Sequence, residues 1–587
     1  MSVHTIQRAS AFVLVCLILP PSSALAHGGS NRGPGFGAPI SGGPGGNPSP
    51  GGPGGGAPPS RTGRGAATLD VRLWETWWGL NREEFLPSRG VMPDGSVITG
   101  YESRENRAPN RGDVESTILP LLRDILKDEK SQEVRDAAAL ALGRVGGLGE
   151  VPILNSLTDD RQGAVREAAI LGLGLVEQKD AEEKLALIAR DPERLLRERG
   201  LAIMALGLSG GEVAEALLLK DLGTNKSDEF YRRARNGHFE PLRALAAMLT
   251  KKHDLASSTS SGLPHPHLGH LITALRADAA PDELFLPVAY AALSKSRDPA
   301  AGPLVLQGLK HRKATVRAGA AIAAGRVFQR PDPATLKRLA QAVSEESDLL
   351  ARRLLLISLG RMGGEGSRDF LLRHLRMADR QEVGFIYLAL SLTRDTAVIP
   401  TLRAGLTSAR EASLRSAAAL SLAVIGDKES LPALIALLDE DRNPTVRAYT
   451  AEALTILGDV RAIPALEKLL KSQKSEDVVA ACAQGLGLLG ARDSVATLLI
   501  ALRESKSLPE RGAIAYGLGR MGDRGVIEPL VQLTRDKAVP DLVRAFAVVA
   551  LGIVGERSPG LPPFSRTTID SHYGVVIETL VELQDIL

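Results

Sequence analysis

Cysteine is almost missing from this chain, with two residues, Cys16 and Cys482, among 587. Cys16 sits in an N-terminal apolar run, so the body is left with one thiol and no internal disulfide, and its stability has to come from packing. Cys482, within VVAACAQGLGLLG, reads as a small buried hydrophobe. Aromatic residues make up 4%, with three Trp in all. The apolar fraction therefore rests on Ala, Leu, Val and Ile, which suits helices packed through small side chains and suits strands poorly. Neither sign of charge is in excess, since 71 Lys and Arg face 68 Asp and Glu for a net charge of +3. A nucleic-acid binder would show a basic balance. No HExxH pair and no GKS or GKT phosphate loop occurs, so the common zinc-hydrolase and nucleotide signatures are absent. These absences point to a protein that is not an enzyme and carries no cofactor.

The N-terminus has the pattern of an export signal. Arg8 precedes the apolar run Ala11 to Leu19, Pro20 and Pro21 break it, and Ala24-Leu25-Ala26 is a small-x-small cleavage site. The expectation is a signal peptide over 1–26, cut after Ala26, with a periplasmic or extracellular product. The run is far short of the ~20 residues that span a bilayer, and no transmembrane segment is expected elsewhere. Residues 27–69 contain 16 Gly and 8 Pro and no acid. Such a stretch cannot bury enough apolar surface to order itself and reads as a disordered arm, a tether that could associate with the cell envelope. Beyond it the charge is −1, because residues 1–69 hold four Arg and no acid.

The body is one pattern written many times. VRDAAALALGRVG from Val134 returns as VREAAILGLGLV from Val165, VRAGAAIAAGRV from Val316, LRSAAALSLAVIG from Leu414, VRAYTAEALTILG from Val446 and VRAFAVVALGIVG from Val543. The Arg of this pattern falls at 135, 166, 317, 352, 415, 447, 511 and 544, and weaker members stand at Arg199, Arg243, Phe285, Glu382 and Val479. Gly recurs eight residues after that position, as in Gly143 and Gly552, and again at eleven, as in Gly426 and Gly458. Each unit reads as two helices, the first often opened by Pro, the second ended by a Gly suited to a left-handed residue. One pair cannot bury its own apolar face, so neighbours must stack. The Asp-rich turn, the Val-Arg-x-x-Ala start and the Leu-Gly end resemble HEAT repeats, especially the short bacterial kind known as PBS-lyase HEAT-like repeats. That resemblance spans about 112–556 and implies an all-α, right-handed α-solenoid of about thirteen helical pairs, with the repeating Arg forming a ladder to turn acids. Relatives of this kind include bilin lyases and di-iron hydroxylases. The hydroxylases bind metal through His-Glu pairs, and no His here is followed by Glu.

Three places break the regularity. Units near 223–270 are enlarged by GTNKSDEFYRRARNGHFE and KKHDLASSTSSGLPHPHLGH, and insertions of this kind map to loops on the binding side. Phe230, Tyr231, Arg232 and Arg233 are the candidate partner contacts there. His238, His253, His265, His267 and His270 cluster in the same stretch. Of these His265, His267 and His270 are weak metal candidates whose spacing matches no standard site, as is His27 if cleavage makes it the N-terminus. The third place is 70–111, which holds every Trp of the chain: Trp74, Trp77 and Trp78. The expectation is a helix that caps the first repeat's open end, or else an aromatic anchor for a partner. W-x-x-W-W-x-x-N, Trp74 to Asn81, resembles a lead-in found before HEAT arrays in large secreted bacterial proteins. Residues 557–587 read as a closing amphipathic segment. The functional expectation is an exported, non-catalytic scaffold for partner proteins. A HEAT-like enzyme or metal-binding protein, or a structural envelope component, is the alternative.

Overall fold

In the computed structural model, the residues described are 72–82, 85–86, 108–176, 178–219, 275, 285–295, 301–329, 331–472 and 475–556. They are helical throughout, with no strand among them. A short helix α1 (Trp74–Asn81) is followed by helical pairs. The second helices of these pairs are α2 (Gln132–Val145), α3 (Gly163–Val176), α4 (Leu196–Ser209), α5 (Phe285–Ala292), α6 (Ala314–Val327) and α7 (Leu349–Met362), then α8 (Arg380–Leu392), α9 (Ala412–Ile425), α10 (Pro444–Leu457), α11 (Glu476–Leu488), α12 (Leu508–Arg520) and α13 (Asp541–Val554). Their starts follow local chemistry. Asp332, Asp348, Asp379, Asn443 and Ser507 each accept a backbone N–H of the helix they open, as capping side chains do. Pro occupies the first turn at 120, 152, 303, 400, 432 and 444, where its missing N–H costs nothing.

The second helices form the inner row. Each packs on the next from α2 to α4 and from α5 to α13, and the first helices lie outside against them. Small residues set the spacing. A Cβ on Gly143 would stand 2.4 Å from Cα of Gly172, and one on Gly487 would stand 2.0 Å from the carbonyl oxygen of Gly517. Here the backbones themselves touch, and only Gly allows it. The glycine three residues later does different work: Gly426, Gly458, Gly490 and Gly522 all have φ between +69° and +81°.

The repeating Arg forms a ladder between successive units. Arg135 reaches Asp160 at 2.7 Å, Arg166 reaches Glu198 at 2.7 Å, Arg317 reaches Glu346 at 2.7 Å and Arg415 reaches Asp441 at 2.8 Å. At Arg199 and Arg447 the guanidinium turns to a carbonyl of its own unit, Ala189 or Leu438, each at 3.0 Å.

The ladder does not stop at the last unit. Arg544, whose partner would belong to a following repeat, pairs with Glu129 of the first, which Lys537 also contacts. Helix α13 packs along α2 as one inner helix packs on the next. A Cβ on Gly552 would meet the Ala141 side chain at 2.8 Å, and one on Gly555 would meet Val145 at 2.8 Å. Arg524 to Asp113 at 2.6 Å and Arg144 to Glu556 at 3.4 Å complete this seam. The described stack therefore runs from α5 through α13 into α2 and on to α4, with the beginning and end of the repeat array side by side in its interior. Two sequence expectations change. The first repeat has no open end at α2 for a cap to cover. The closing glycines at the seam, Gly146 and Gly555, are not left-handed, with φ of −75° and −87°. A Cβ on Gly146 would instead collide with the Glu150 side chain and the Leu142 carbonyl at 2.5 Å.

Candidate functional site: a tryptophan helix in the inner groove

The Trp segment lies across the inner row, far along the chain from the first repeat. Trp74 donates from Nε1 to Ser413 Oγ of α9 at 2.8 Å and rests on Tyr449 of α10, with ring centroids 5.3 Å apart. It also abuts Gly384 of α8, where a Cβ would come within 2.2 Å of the indole. One indole thus bridges α8 and α10. Packed helices stand about 8–10 Å apart, so the inner face has to curve around this side chain. Trp77 lies over Arg361 of α7, its centroid 5.9 Å from the guanidinium carbon. Trp78 stacks on Phe85 at 5.3 Å. All three Trp are buried.

Polar contacts fix the register. Ser413 Oγ donates to Glu75 Oε1 at 2.5 Å, so a single hydroxyl links Trp74 and Glu75. Arg353 of α7 donates to the Arg72 carbonyl and, at 3.1 Å, to Gln381. At the other end Arg82 pairs with Glu452 of α10 at 3.4 Å, both buried, and Leu86 lines a small cavity together with Thr455, Ala481 and Gln484. Burial raises the Glu75 carboxyl to about 7, against the lowering pull of Ser413 and of its own backbone N–H.

This placement corrects the cap expectation for Trp74, Trp77 and Trp78. They cover inner helices of units in the second half of the array and present no indole surface to another molecule. The sequence carried no clear sign of the seat. Two residues after the repeating Arg position Ala is the commonest residue, at 137, 168, 417, 481 and 513, but Leu201, Gly319, Leu354 and Phe546 depart from it, and so do Gly384 and Tyr449. Those two residues grip Trp74 between them. Phe230, Tyr231, Arg232, Arg233, His265, His267 and His270 lie outside the described residues, as do residues 1–69 and 557–587.

Among the described residues no three His, Cys, Asp or Glu side chains gather where they could hold a metal ion. Gly207 to Gly211 read G-x-S-x-G, but Ser209 ends helix α4 and donates to Glu182 at 2.5 Å. A nucleophile elbow needs a strand-to-helix turn. Cys482 is fully buried, and burial pushes its thiol to about 12.

The comparison with family models agrees with this architecture. The HEAT-repeat family model matches residues 109–174, 302–391 and 399–487, so HEAT repeats are present in the chain, which is an all-α solenoid. No curated protein matches in sequence. Among solved structures, YibA of Escherichia coli is 18% identical over 45% of this chain and 94% of its own, with a TM-score of 0.29. The complex of CpcE and CpcF of phycocyanin lyase from Nostoc is 18% identical over 42% and 92%, with a TM-score of 0.28. Human deoxyhypusine hydroxylase is 17% identical over 53% and 97%, with a TM-score of 0.21. At such scores nothing of these proteins' chemistry transfers to this chain.

Proposed function

We propose that this protein is an exported, non-catalytic scaffold that binds partner proteins through its helical-repeat surface, with α1 as a built-in ligand of its own groove. The observation that carries the reading is the seat of α1. Successive inner helices, α7 to α10, supply a curved row of side chains that holds one aromatic helix by packing, one shared hydroxyl and one buried ion pair. That is how solenoids use their concave surfaces. Because α1 already fills this part of the groove, partner contact falls to the outer surface and to the enlarged stretch 223–270 with Phe230, Tyr231, Arg232 and Arg233. The signal-like residues 1–26 support a location in the periplasm or outside the cell, and cell fractionation tests it directly.

Cross-linking capture tests the scaffold reading. Tagged chain, with and without residues 223–270, is cross-linked in the native envelope and culture fluid. One protein recovered only with the intact stretch supports the reading. Equal, empty recoveries from both versions refute it.

A further inference from the structure

The seam between the last and first repeats encloses a cavity of about 920 Å³, within the range of small-molecule sites. Its walls come from the segment before the first repeat, from the C-terminal ends of α2, α12 and α13, and from Leu488. Val114, Leu119, Leu148, Met521 and Val554 make much of it apolar. Arg520, in the last turn of α12, lines this cavity and is 6% exposed. Among the described residues it has no ion pair and no hydrogen bond. Its guanidinium carbon stands 5.8 Å from the ring of Tyr516 on its own helix, and its Nε is buried without a partner.

That isolation is unusual within this fold. Arg144, at the same place in the first unit, pairs with Glu556, and Arg361 covers Trp77. The acids in the cavity wall are already engaged, Glu115 by Arg111 at 2.5 Å and Glu556 by Arg144. A guanidinium taken out of water without an anion is costly, and its planar fork matches a carboxylate in a two-point contact. The wall also limits the charge it accepts. Glu115 and Glu556 are matched by Arg111 and Arg144, which leaves Arg520 as the cation of the wall still to be balanced, so one negative charge is matched where a phosphate's second would not be.

We propose that the seam cavity binds an amphiphilic monocarboxylate, one carboxylate on an apolar chain or ring, with Arg520 holding the carboxylate and the seam's aliphatic side chains holding the apolar body.

Titration calorimetry of decanoate, below its micelle concentration, against the full chain tests this. The expected result is saturable binding at one site per chain. Decanol, with the same chain and no charge, and decyl phosphate should each bind at least tenfold more weakly. Arg520→Gln should lose at least tenfold in decanoate affinity, with Arg520→Lys between it and the parent. Leu148→Glu places a carboxylate at the lip on a residue that is 60% exposed. It leaves the fold alone and should weaken decanoate binding as well, which covers the case where Arg520→Gln fails to fold. Absence of saturable binding, equal affinity in the parent and folded Arg520→Gln, or equal affinity for decanol would overturn the proposal. Binding that emerges only after residues 557–587 are removed would overturn it too, and would name the chain's own C-terminus as the occupant.

Discussion

Seating of the tryptophan helix should weaken as pH rises through neutrality, and Glu75 is the reason. Its carboxyl is buried with one side-chain donor, Ser413, and burial holds it at about 7 against an ordinary 4.5. A raised carboxyl favours the seated state while protonated. The stabilisation is fully present below the ordinary value and is lost as pH climbs through the seated one. A gap of about 2.5 units at 1.36 kcal/mol per unit amounts to about 3.4 kcal/mol in all, and about 2.5 kcal/mol of that falls between pH 5 and pH 8. The chain offers a convenient reporter. All three of its Trp lie in this helix, so intrinsic fluorescence reads α1 and nothing else. Urea unfolding followed by Trp emission should give a free energy about 2.5 kcal/mol lower at pH 8 than at pH 5. In Glu75→Gln the amide oxygen still accepts from Ser413, and this component of the pH dependence should vanish. Other groups titrate in the same window, so the deciding quantity is the difference between the two proteins. Parallel pH profiles for wild type and Glu75→Gln would show that Glu75 is ionised in the groove and would refute the reasoning.

Further outcomes follow from single contacts. Gly384→Ala should improve α8 by about 0.5–1 kcal/mol of helix propensity but drive a methyl into Trp74; acrylamide quenching should rise while the far-UV melt of the repeats holds. Burial pushes the Glu129 carboxyl up, but Lys537, Arg544 and two backbone N–H groups outweigh it and hold it at about 2. Glu129→Gln removes one of the two acids on the buried Arg544, which keeps Asp541 at 2.8 Å, and should cost about 1.5–3 kcal/mol, with hydrogen exchange accelerating first in 132–145 and 541–554. In wild type this contribution is present above the ordinary carboxylate value and is lost as pH falls towards 2. Asp136 is fully buried; burial first, and then Glu133 and Glu167, raise it well above the usual range against the lowering pull of the Ala137 backbone N–H. The same place in other units holds Ala318, Ala448, Ala480 and Ala545, so Asp136→Ala should stabilise by about 1 kcal/mol in thermal unfolding. Cys482 should resist a thiol reagent in the folded protein and react once the protein is unfolded.

The repeat helices could be read from the sequence because each unit states its own instructions. Pro or a capping side chain opens many of the helices, Ala and Gly set the approach of the next, and an Arg meets the following turn. All of that is local or reaches one neighbour. The seat of α1 could not be read the same way. Trp74 to Ser413 spans 339 positions, and no periodicity encodes a contact of that separation. Gly384 and Tyr449 did not mark the place, because Gly319 and Phe546 stand at the same repeat position in other units. Glu75 gave no sign at all. An acid in the first turn of a helix is ordinary, and its unusual state is created by the burial that seating brings.

The seam explains why the tryptophan helix is free to sit in the groove. A solenoid with an exposed first unit needs a polar or covering element there, which is what made a cap the natural reading of an N-terminal aromatic helix. In this chain α13 does that work, with Arg544 supplying Glu129 with the rung a preceding repeat would have given. The glycines confirm that the junction is built rather than incidental. At units away from the seam the closing glycine turns left-handed to end its helix. At the seam Gly146 and Gly555 give up that conformation and are kept small by close neighbours, Glu150 and Leu142 around one, Val145 and Ile118 around the other. An unselected encounter between two ends would have left both glycines as helix terminators. Substitution separates the two roles. Gly555→Ala, at a negative φ, carries no backbone penalty and should destabilise only by pressing a methyl onto Val145. Gly458→Ala, at φ +72°, should destabilise through backbone strain of about 1 kcal/mol. Pairing Gly555→Ala with Val145→Ala should restore most of the lost stability, whereas no neighbouring truncation rescues Gly458→Ala; equal failure of both rescues would mean that the seam does not form in solution.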